Sequence, residues 1–113
     1  MSIRPAVTAA LLWLLTVATA PAQEAVANFG PPDAPQLILR STTDIAVFGP
    51  VIDAYLATRA GLGIRYEQWG SNGLYDLTDS DCAAGRAGAD LVISSGVHQM
   101  VRLVNDACAL AHR

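Results

Sequence analysis

The chain of 113 residues contains no lysine, and its positive charge comes from seven arginines alone. Ten acidic residues outnumber them, which gives a formal net charge of −3 at pH 7. A nucleic-acid-binding protein needs a cationic patch that replaces the counterions around the phosphates. The arginines are scattered along the sequence, so we expect no nucleic-acid partner.

Sequence motifs for catalysis and cofactor binding are also missing. The chain has two histidines, His98 and His112, and a serine nucleophile would need one of them as its base. Neither Gly-x-Ser-x-Gly, Gly-x-Gly-x-x-Gly nor a P-loop occurs. We predict a protein that is not an enzyme and has no cofactor. A small secreted hydrolase, with His98 beside Ser94 or Ser95, is a minor alternative.

Residues 1–22 have the pattern of a secretory signal peptide. Arg4 supplies a positive start, residues 6–20 form an apolar core, and Ala20-Pro21-Ala22 fits the cleavage rule. A membrane-spanning helix needs about 20 apolar residues, whereas this core is shorter and ends at Pro21. We predict export and cleavage after Ala22, which leaves one small domain.

The two cysteines, Cys82 and Cys108, allow two interpretations. An exported chain can form a disulfide. Each cysteine also falls on a predicted helix among alanines, where a free cysteine packs as a small apolar side chain. The sequence favours packing of both cysteines as free thiols, and a disulfide between them is kept as the alternative. Two cysteines without a nearby histidine pair do not indicate a zinc site.

The rest of the chain predicts a repeated strand-and-helix order. Residues 23–35 are rich in proline and glycine and are predicted to be a linker without regular structure. Apolar runs predict strands at residues 36–40, 64–69 and 89–93. Apolar residues about 3.6 apart predict helices at residues 45–58, 74–85 and 97–110.

This order predicts an α/β fold with a three-stranded parallel sheet and flanking helices. The sequence does not fix the strand order, although 2-1-3 is common in doubly wound sheets. The alternation in residues 64–69 indicates a strand with one less-buried face. Gly49-Pro50 either kinks the first helix or marks the start of its regular part.

Small polar residues follow each predicted strand, just before a helix begins. They are Ser41, Thr42, Thr43 and Asp44 after the first strand, Ser71 and Asn72 after the second, and Ser94 and Ser95 after the third. The carboxyl ends of parallel strands share one edge, so we expect these residues to converge beside three helix N-termini, which attract anions. Each residue also suits an ordinary capping or turn role. Only the occurrence of such residues after all three strands indicates a ligand site.

Four motifs, in order along the chain, resemble the periplasmic substrate-binding proteins of ABC transporters. They are Ser41-Thr42-Thr43-Asp44, Gly70-Ser71-Asn72-Gly73-Leu74-Tyr75-Asp76, Ala89-Asp90-Leu91-Val92-Ile93-Ser94-Ser95 and Arg102-Leu103-Val104-Asn105-Asp106. Within this group the chain is most similar to the ferric-iron, phosphonate and phosphoglycerate type. The resemblance implies a type II fold, in which two lobes close on a ligand by a hinge motion.

The resemblance also implies specific residues and partners. Residues 36–113 would be the N-terminal part of the first lobe, with the second lobe absent. The ligand contacts would be Ser41, Thr42, Thr43, Ser71, Asn72, Ser94 and Ser95, with no catalytic or metal-ligating residue. The ligand would be a small anion or chelated ferric iron, the location the periplasm, and the partner an ABC permease in the inner membrane.

Two departures from the family pattern affect these expectations. The family usually continues with Ala-Met-Asp after the paired serines, where this chain has Gly96-Val97-His98. The chain is also much shorter than its relatives, as expected of a truncated product, and we therefore expect weak or absent ligand binding by the chain alone. An alternative function is an exported sensory or regulatory module that acts on a membrane partner.

Overall fold

The structure, a computed structural model, describes residues 23–110, which form four strands and three helices. The elements are β1 (Gln23–Phe29), β2 (Gln36–Ser41), α1 (Ile45–Leu56), β3 (Gly63–Trp69), α2 (Ser71–Ala83), β4 (Leu91–Ile93) and α3 (Val97–Asn105). The predicted signal peptide and His112 lie outside the described residues. Over residues 23–110, no helix has both the length and the apolar character needed to cross a membrane.

The four strands form one mixed sheet in the order β1-β3-β2-β4. β2 lies between β3 and β4 and pairs parallel with both. The predicted α/β fold with three parallel strands is therefore confirmed. The first, second and third predicted strands are β2, β3 and β4, and their order across the sheet, β3-β2-β4, is the 2-1-3 order. β1 adds a fourth strand, which runs antiparallel to β3.

The predicted linker is wrong for its first seven residues, because residues 23–29 form β1. Their side chains alternate between exposed and half-buried, and the half-buried set ends at Phe29. Pairing with β3 outweighs the weak strand propensity of this segment, in which only Val26 and Phe29 favour strands. The irregular part begins only at Gly30, where φ is +83° and an added Cβ would meet the Leu62 carbonyl oxygen at 2.6 Å.

Helices cover both faces of the sheet. On one face, α1 packs the buried side chain of Ile52 into a core cluster with Leu39, Ile64 and Tyr66. Phe48 stacks on the Tyr66 ring, with the ring centroids 5.6 Å apart. Successive strand residues point to opposite faces, so the face beneath α2 and α3 carries the alternate residues of β2 and β3.

The structure shows where α1 and α2 begin. α1 runs from Ile45 to Leu56 with Pro50 inside it, so a start at Pro50 is wrong. α2 begins at Ser71, three residues before the predicted position. Gly70 has an extended conformation, with φ −66° and ψ 151°, and serves as the N-cap. Ser71 and Asn72 are therefore in the first turn of a helix instead of in a separate turn.

Cys82 and Cys108 form a disulfide, so the favoured packing interpretation is wrong. α3 ends at Asn105, five residues earlier than predicted. Ala107 then takes a positive φ of 58°, which turns the chain back towards the end of α2. The Cα atoms of the two cysteines lie 5.5 Å apart as a result.

Candidate ligand-binding site

The polar segments that follow the three parallel strands lie along one edge of the sheet. In the pairing register, Ser41 at the end of β2 lies between Gln68 of β3 and Ile93 of β4. We call residues 41–44, 70–72 and 94–96 the rim. The expected placement of the polar segments on one edge follows from this register, while their contact with a ligand stays a prediction.

Direct hydrogen bonds join the first and third segments of the rim. The Thr42 backbone N–H donates to the Ile93 carbonyl oxygen at 3.1 Å. The Ser95 N–H donates to Thr42 Oγ1 at 3.0 Å, and the two side-chain oxygens, Thr42 Oγ1 and Ser95 Oγ, lie 3.3 Å apart. The structure therefore brings Thr42 and Ser95 together in a hydroxyl pair.

A side-chain bridge joins the beginnings of α2 and α3. Gln99 Nε2 donates to Asn72 Oδ1 at 2.9 Å. Sequence reasoning did not select Gln99. A signal was present, because Gln99 is the third residue after Gly96, the N-cap of α3, and a glutamine there can reach back over the helix N-terminus.

Gln99 also contributes an unsatisfied polar atom. Its Oε1 is buried and has no hydrogen-bond partner within residues 23–110. This oxygen lies against Gly96, and a Cβ added at position 96 would collide with it. Glycine at this position is therefore what allows the Gln99 amide to fold back over the rim.

Two predicted site residues, Ser41 and Ser94, use their side chains to bond the backbone of the rim. Ser41 is fully buried, and its Oγ accepts a hydrogen bond from the Thr43 N–H at 3.0 Å. Ser94 Oγ accepts from the Gly96 N–H at 3.0 Å. The Thr43 carbonyl oxygen in turn accepts from the buried Tyr66 hydroxyl at 2.6 Å. These contacts fix the loops on which the exposed groups sit.

The N-terminus of α1 is occupied by protein groups. Asp44 Oδ1 accepts from the Ala46 N–H at 2.7 Å, and Gln68 Oε1 accepts from the Ile45 N–H at 2.9 Å. The carboxylate offsets the partial positive charge of this helix end. Asp44 therefore has the ordinary capping role that the sequence allowed.

The N-termini of α2 and α3 differ from that of α1. Their N-caps are Gly70 and Gly96, and neither helix receives a hydrogen bond from an N-cap side chain. Free N–H groups at a helix N-terminus carry partial positive charge and bind anions. In α3, however, the Val97 N–H already donates to the Ser95 carbonyl oxygen and the Gln99 N–H to that of Gly96. The donors at the rim that can attract an anion are thus the N–H groups in the first turn of α2, before the Leu74 N–H that bonds the Gly70 carbonyl oxygen, and the His98 N–H in α3.

His98 does not form a catalytic pair with the serines of the rim. His98 is exposed, and in the described part of the chain it makes no hydrogen bond to Ser94 or Ser95. Both hydroxyls are engaged instead with Gly96 and Thr42. In residues 23–110, no three His, Cys, Asp or Glu residues cluster in a way that could hold a metal ion.

A buried charge cluster lies between the sheet and α2. Arg40 contacts Glu67 Oε2 through Nε at 3.0 Å and Asp81 Oδ2 through Nη1 at 2.9 Å. Arg65 and Arg86 bind the remaining carboxylate oxygens of Glu67 and Asp81, each at 3.0 Å. The expected less-buried face of β3 is therefore covered, because α2 brings Asp81 over it and the arginines neutralise the buried charge.

The environment shifts the pKa of both buried carboxyls. Burial raises the pKa of Glu67, but hydrogen bonds from Arg65, Arg40 and Trp69 outweigh burial, and its pKa lies below the ordinary value. Burial also raises the pKa of Asp81, and hydrogen bonds from Arg40 and Arg86 again produce a net decrease. Both groups thus favour the charged form in the folded protein.

Acid is therefore expected to destabilise the fold. When the pKa of a carboxyl is lower in the folded chain than in the unfolded chain, the carboxyl stabilises the fold at pH values above its unfolded pKa, near 4. This stabilisation is lost as the pH falls through the pKa of the folded chain. Thermal unfolding should give a clearly lower Tm at about pH 3 than at pH 7. A Glu67→Gln/Asp81→Asn variant should lose less on acidification, and an equal loss in both proteins would contradict this assignment.

The similarity of the chain to known proteins is found at the level of structure. No protein-family model matches the chain, and neither does any curated protein. A solved structure that does match is the substrate binding protein of the ABC transporter from Agrobacterium tumefaciens, with a TM-score of 0.71 and 27% identity over 76% of this chain. The match covers 26% of that protein, so this chain spans about a quarter of its length. The fold of the chain thus matches part of a periplasmic binding protein fold, and the chain is similar to an ABC-transporter substrate-binding protein.

Proposed function

We propose that this chain is the amino-terminal part of a ligand-binding lobe that serves an ABC importer. It would capture a small anion, free or chelated to ferric iron, in the periplasm and present it to a permease in the inner membrane. The observation that carries the proposal is the N-terminus of α2 at the rim, which follows Gly70 and has no side-chain cap, and which Asn72 and Gln99 bridge to the beginning of α3. The similarity to a substrate-binding protein supports the class of function.

The rim offers two kinds of donor to an anion. The first are the backbone N–H groups in the first turn of α2 and the His98 N–H of α3, and the bridge between Asn72 and Gln99 joins these two helix starts. The second comes from the hydroxyl pair of Thr42 and Ser95. Only one hydroxyl proton can lie between the two oxygens, so the other is free to point outward to a ligand.

Binding by this chain alone is expected to be weak. The rim contacts a ligand from one side only, and the ligand keeps its water on the other side. In a clamp, closure adds donors from the facing lobe and excludes that water, which strengthens electrostatic contacts. We expect dissociation constants of roughly 1 mM or weaker, equivalent to about −4 kcal/mol.

Thermal stabilisation by ligand tests the proposal at this affinity. Methylphosphonate, phosphoglycerate and ferric citrate should be compared at matched ionic strength. A ligand present at about ten times its dissociation constant stabilises the fold by about 1.4 kcal/mol, which raises the Tm of a domain this small by several degrees. At least one of the three should give this increase.

A Gly70→Asp variant locates the effect on the rim. The new carboxylate would cap α2 and occupy the N–H groups offered to the ligand, so the ligand-induced increase in Tm should disappear. The variant without ligand should stay close to the wild type in stability, because the new cap stabilises α2 while the Glu24 carboxylate, whose Oε1 would lie 3.4 Å from the added Cβ, repels it.

Ala87→Asp is the matched control, since it adds the same charge to an exposed residue in the loop between α2 and β4. This loop precedes β4 and lies away from the carboxyl ends of the strands. The control should keep the full ligand response. Equal responses in Gly70→Asp and wild type would rule out the rim, and stabilisation by micromolar ligand would contradict a one-sided site.

A further inference from the structure

We propose that Gln99 is a ligand-binding residue of the rim whose side chain has two positions. In the inward position, which the structure shows, the amide lies over the start of α3 and bridges to Asn72. In the outward position, the side chain rotates towards a bound anion and donates a hydrogen bond to it through Nε2. This role rests on the anion site proposed above and assigns to it a residue that the sequence motifs do not include.

The Gln99 amide lies where the two helix starts of the rim meet. Its Nε2 is 2.9 Å from the side-chain oxygen of Asn72, which is in the first turn of α2. The backbone N–H groups of this turn receive no side-chain cap, and they attract an anion. Gln99 itself directly follows His98, whose N–H is the free donor of α3. A side-chain rotation therefore brings the Gln99 amide to an anion held by these groups.

The Gln99 carbonyl oxygen lacks the partner that its place in the helix usually provides. Gln99 is the third residue after the N-cap, Gly96, and a glutamine there normally accepts a hydrogen bond from the N-cap N–H. Here the Gly96 N–H donates to Ser94 Oγ at 3.0 Å instead. Gln99 Oε1 is buried and has no partner within residues 23–110. Ser94 thus takes the donor that would otherwise hold Gln99 in the inward position.

The two positions of Gln99 are therefore close in free energy. The inward position costs a hydrogen bond, because the buried oxygen has no partner and is closed off from water. The bond from Nε2 to Asn72 favours the inward position, but it is exposed, and water replaces an exposed hydrogen bond at little cost. A bound anion shifts the balance outward, since a hydrogen bond to a charged acceptor is stronger than one to a neutral acceptor.

Gly96 is what makes the inward position possible. A Cβ at this residue would collide with Gln99 Oε1, which is the far end of a flexible side chain. The Gly96 backbone has φ −77° and ψ 73°, and the Val97 N–H donates to the Ser95 carbonyl oxygen across it at 3.0 Å. This is an inverse γ-turn, which residues other than glycine also adopt. Alanine at position 96 thus moves the Gln99 amide outward and leaves the backbone unstrained.

A Gln99→Met variant tests the role of the amide. Methionine keeps the length of the side chain and removes both amide atoms. In a ¹H–¹⁵N NMR titration, the variant should bind methylphosphonate about tenfold more weakly than the wild type, because a donor to the anion is lost. Without ligand its Tm should equal or exceed that of the wild type, because the unpaired oxygen is removed with the amide. A residue that only connects α2 to α3 would instead lower the Tm when replaced.

A Gly96→Ala variant should have the opposite effect on affinity. It should bind methylphosphonate several-fold more tightly than the wild type, since the inward position no longer competes with binding. This gain should be absent in Gly96→Ala/Gln99→Met, because both changes act through the same side chain. Gly49→Ala is the matched control, since a Cβ at Gly49 in α1 makes only ordinary contacts with Phe29. The control should bind as the wild type does.

The same titrations distinguish a wrong role for Gln99 from a wrong site. In the wild type, the side-chain amide signals of Gln99 and Asn72 should shift along with the backbone amides of the rim. Equal affinities of Gln99→Met and wild type would overturn the role of Gln99 and leave the anion site standing. A Gly96→Ala variant that binds no more tightly, or that keeps its gain without Gln99, would do the same. A wild type without saturable shifts would overturn both the site and the role.

Discussion

Replacing Arg40 with methionine is expected to lower the free energy of unfolding by about 3–5 kcal/mol. Arg40 lies between Glu67 and Asp81, which are only 6% and 8% exposed. Methionine keeps the apolar length of the side chain but leaves two buried carboxylates without their central partner. A loss of this size is a large part of the total stability of a small domain. Urea denaturation followed by circular dichroism measures it.

Two further variants separate the charge from the general cost of losing an arginine. Arg59 is exposed and lies over the Tyr55 ring at 5.7 Å, so Arg59→Met should cost less than about 1 kcal/mol. Adding Glu67→Gln and Asp81→Asn to Arg40→Met should recover part of the loss, because the uncompensated charges are removed. Equal stabilities of Arg40→Met and Arg59→Met would contradict a buried charge cluster.

Removing the disulfide is expected to cost about 3 kcal/mol. The bond closes a loop between residues 26 positions apart, and cross-linking a loop of this length reduces the entropy of the unfolded chain. It also ties the segment after α3 to α2, while α3 itself buries only Leu103. The Tm of a Cys82→Ala/Cys108→Ala variant should fall by more than about 10 °C.

A reductant gives the control for this prediction. Dithiothreitol should lower the Tm of the wild type by a similar amount and leave that of the double variant unchanged. If the wild type and the double variant melted at the same temperature under oxidising conditions, the disulfide would contribute nothing to the stability of the fold.

The parallel part of the sheet could be predicted from the sequence because it depends on local signals. The apolar runs of β2, β3 and β4 are each followed by polar residues and a helical pattern, and three such units imply parallel strands. β1 was missed because its identity as a strand depends on pairing with β3, some 40 residues away. A seven-residue segment with only two residues that favour strands carries too little propensity to show this.

The location of the rim could be predicted, but its internal contacts could not. The parallel arrangement places Thr42 and Ser95 on one edge, whereas their hydrogen bond requires β4 to be next to β2. The bridge between Asn72 and Gln99 depends on how α2 and α3 are rotated against each other. The disulfide likewise depended on the end of α3 and the turn at Ala107, and neither is encoded by periodicity.

The buried charge cluster had a sequence signal with more than one meaning. Arg40 follows three apolar residues in β2, and a charge there suits either a buried partner or the exposed end of a strand. The alternation around Glu67 suited a strand with one face in water. Only the position of α2, which brings Asp81 over that face, distinguishes the two possibilities.

A ¹H–¹⁵N NMR titration with methylphosphonate tests the site at the rim most directly, because it reports weak binding at each backbone amide. We expect saturable shifts, with a dissociation constant of roughly 1 mM or weaker. They should be largest for the amides in the first turn of α2 and for His98, and absent in Gly70→Asp. Shifts centred on the exposed arginines, or no saturable shift at the rim, would contradict an anion site there.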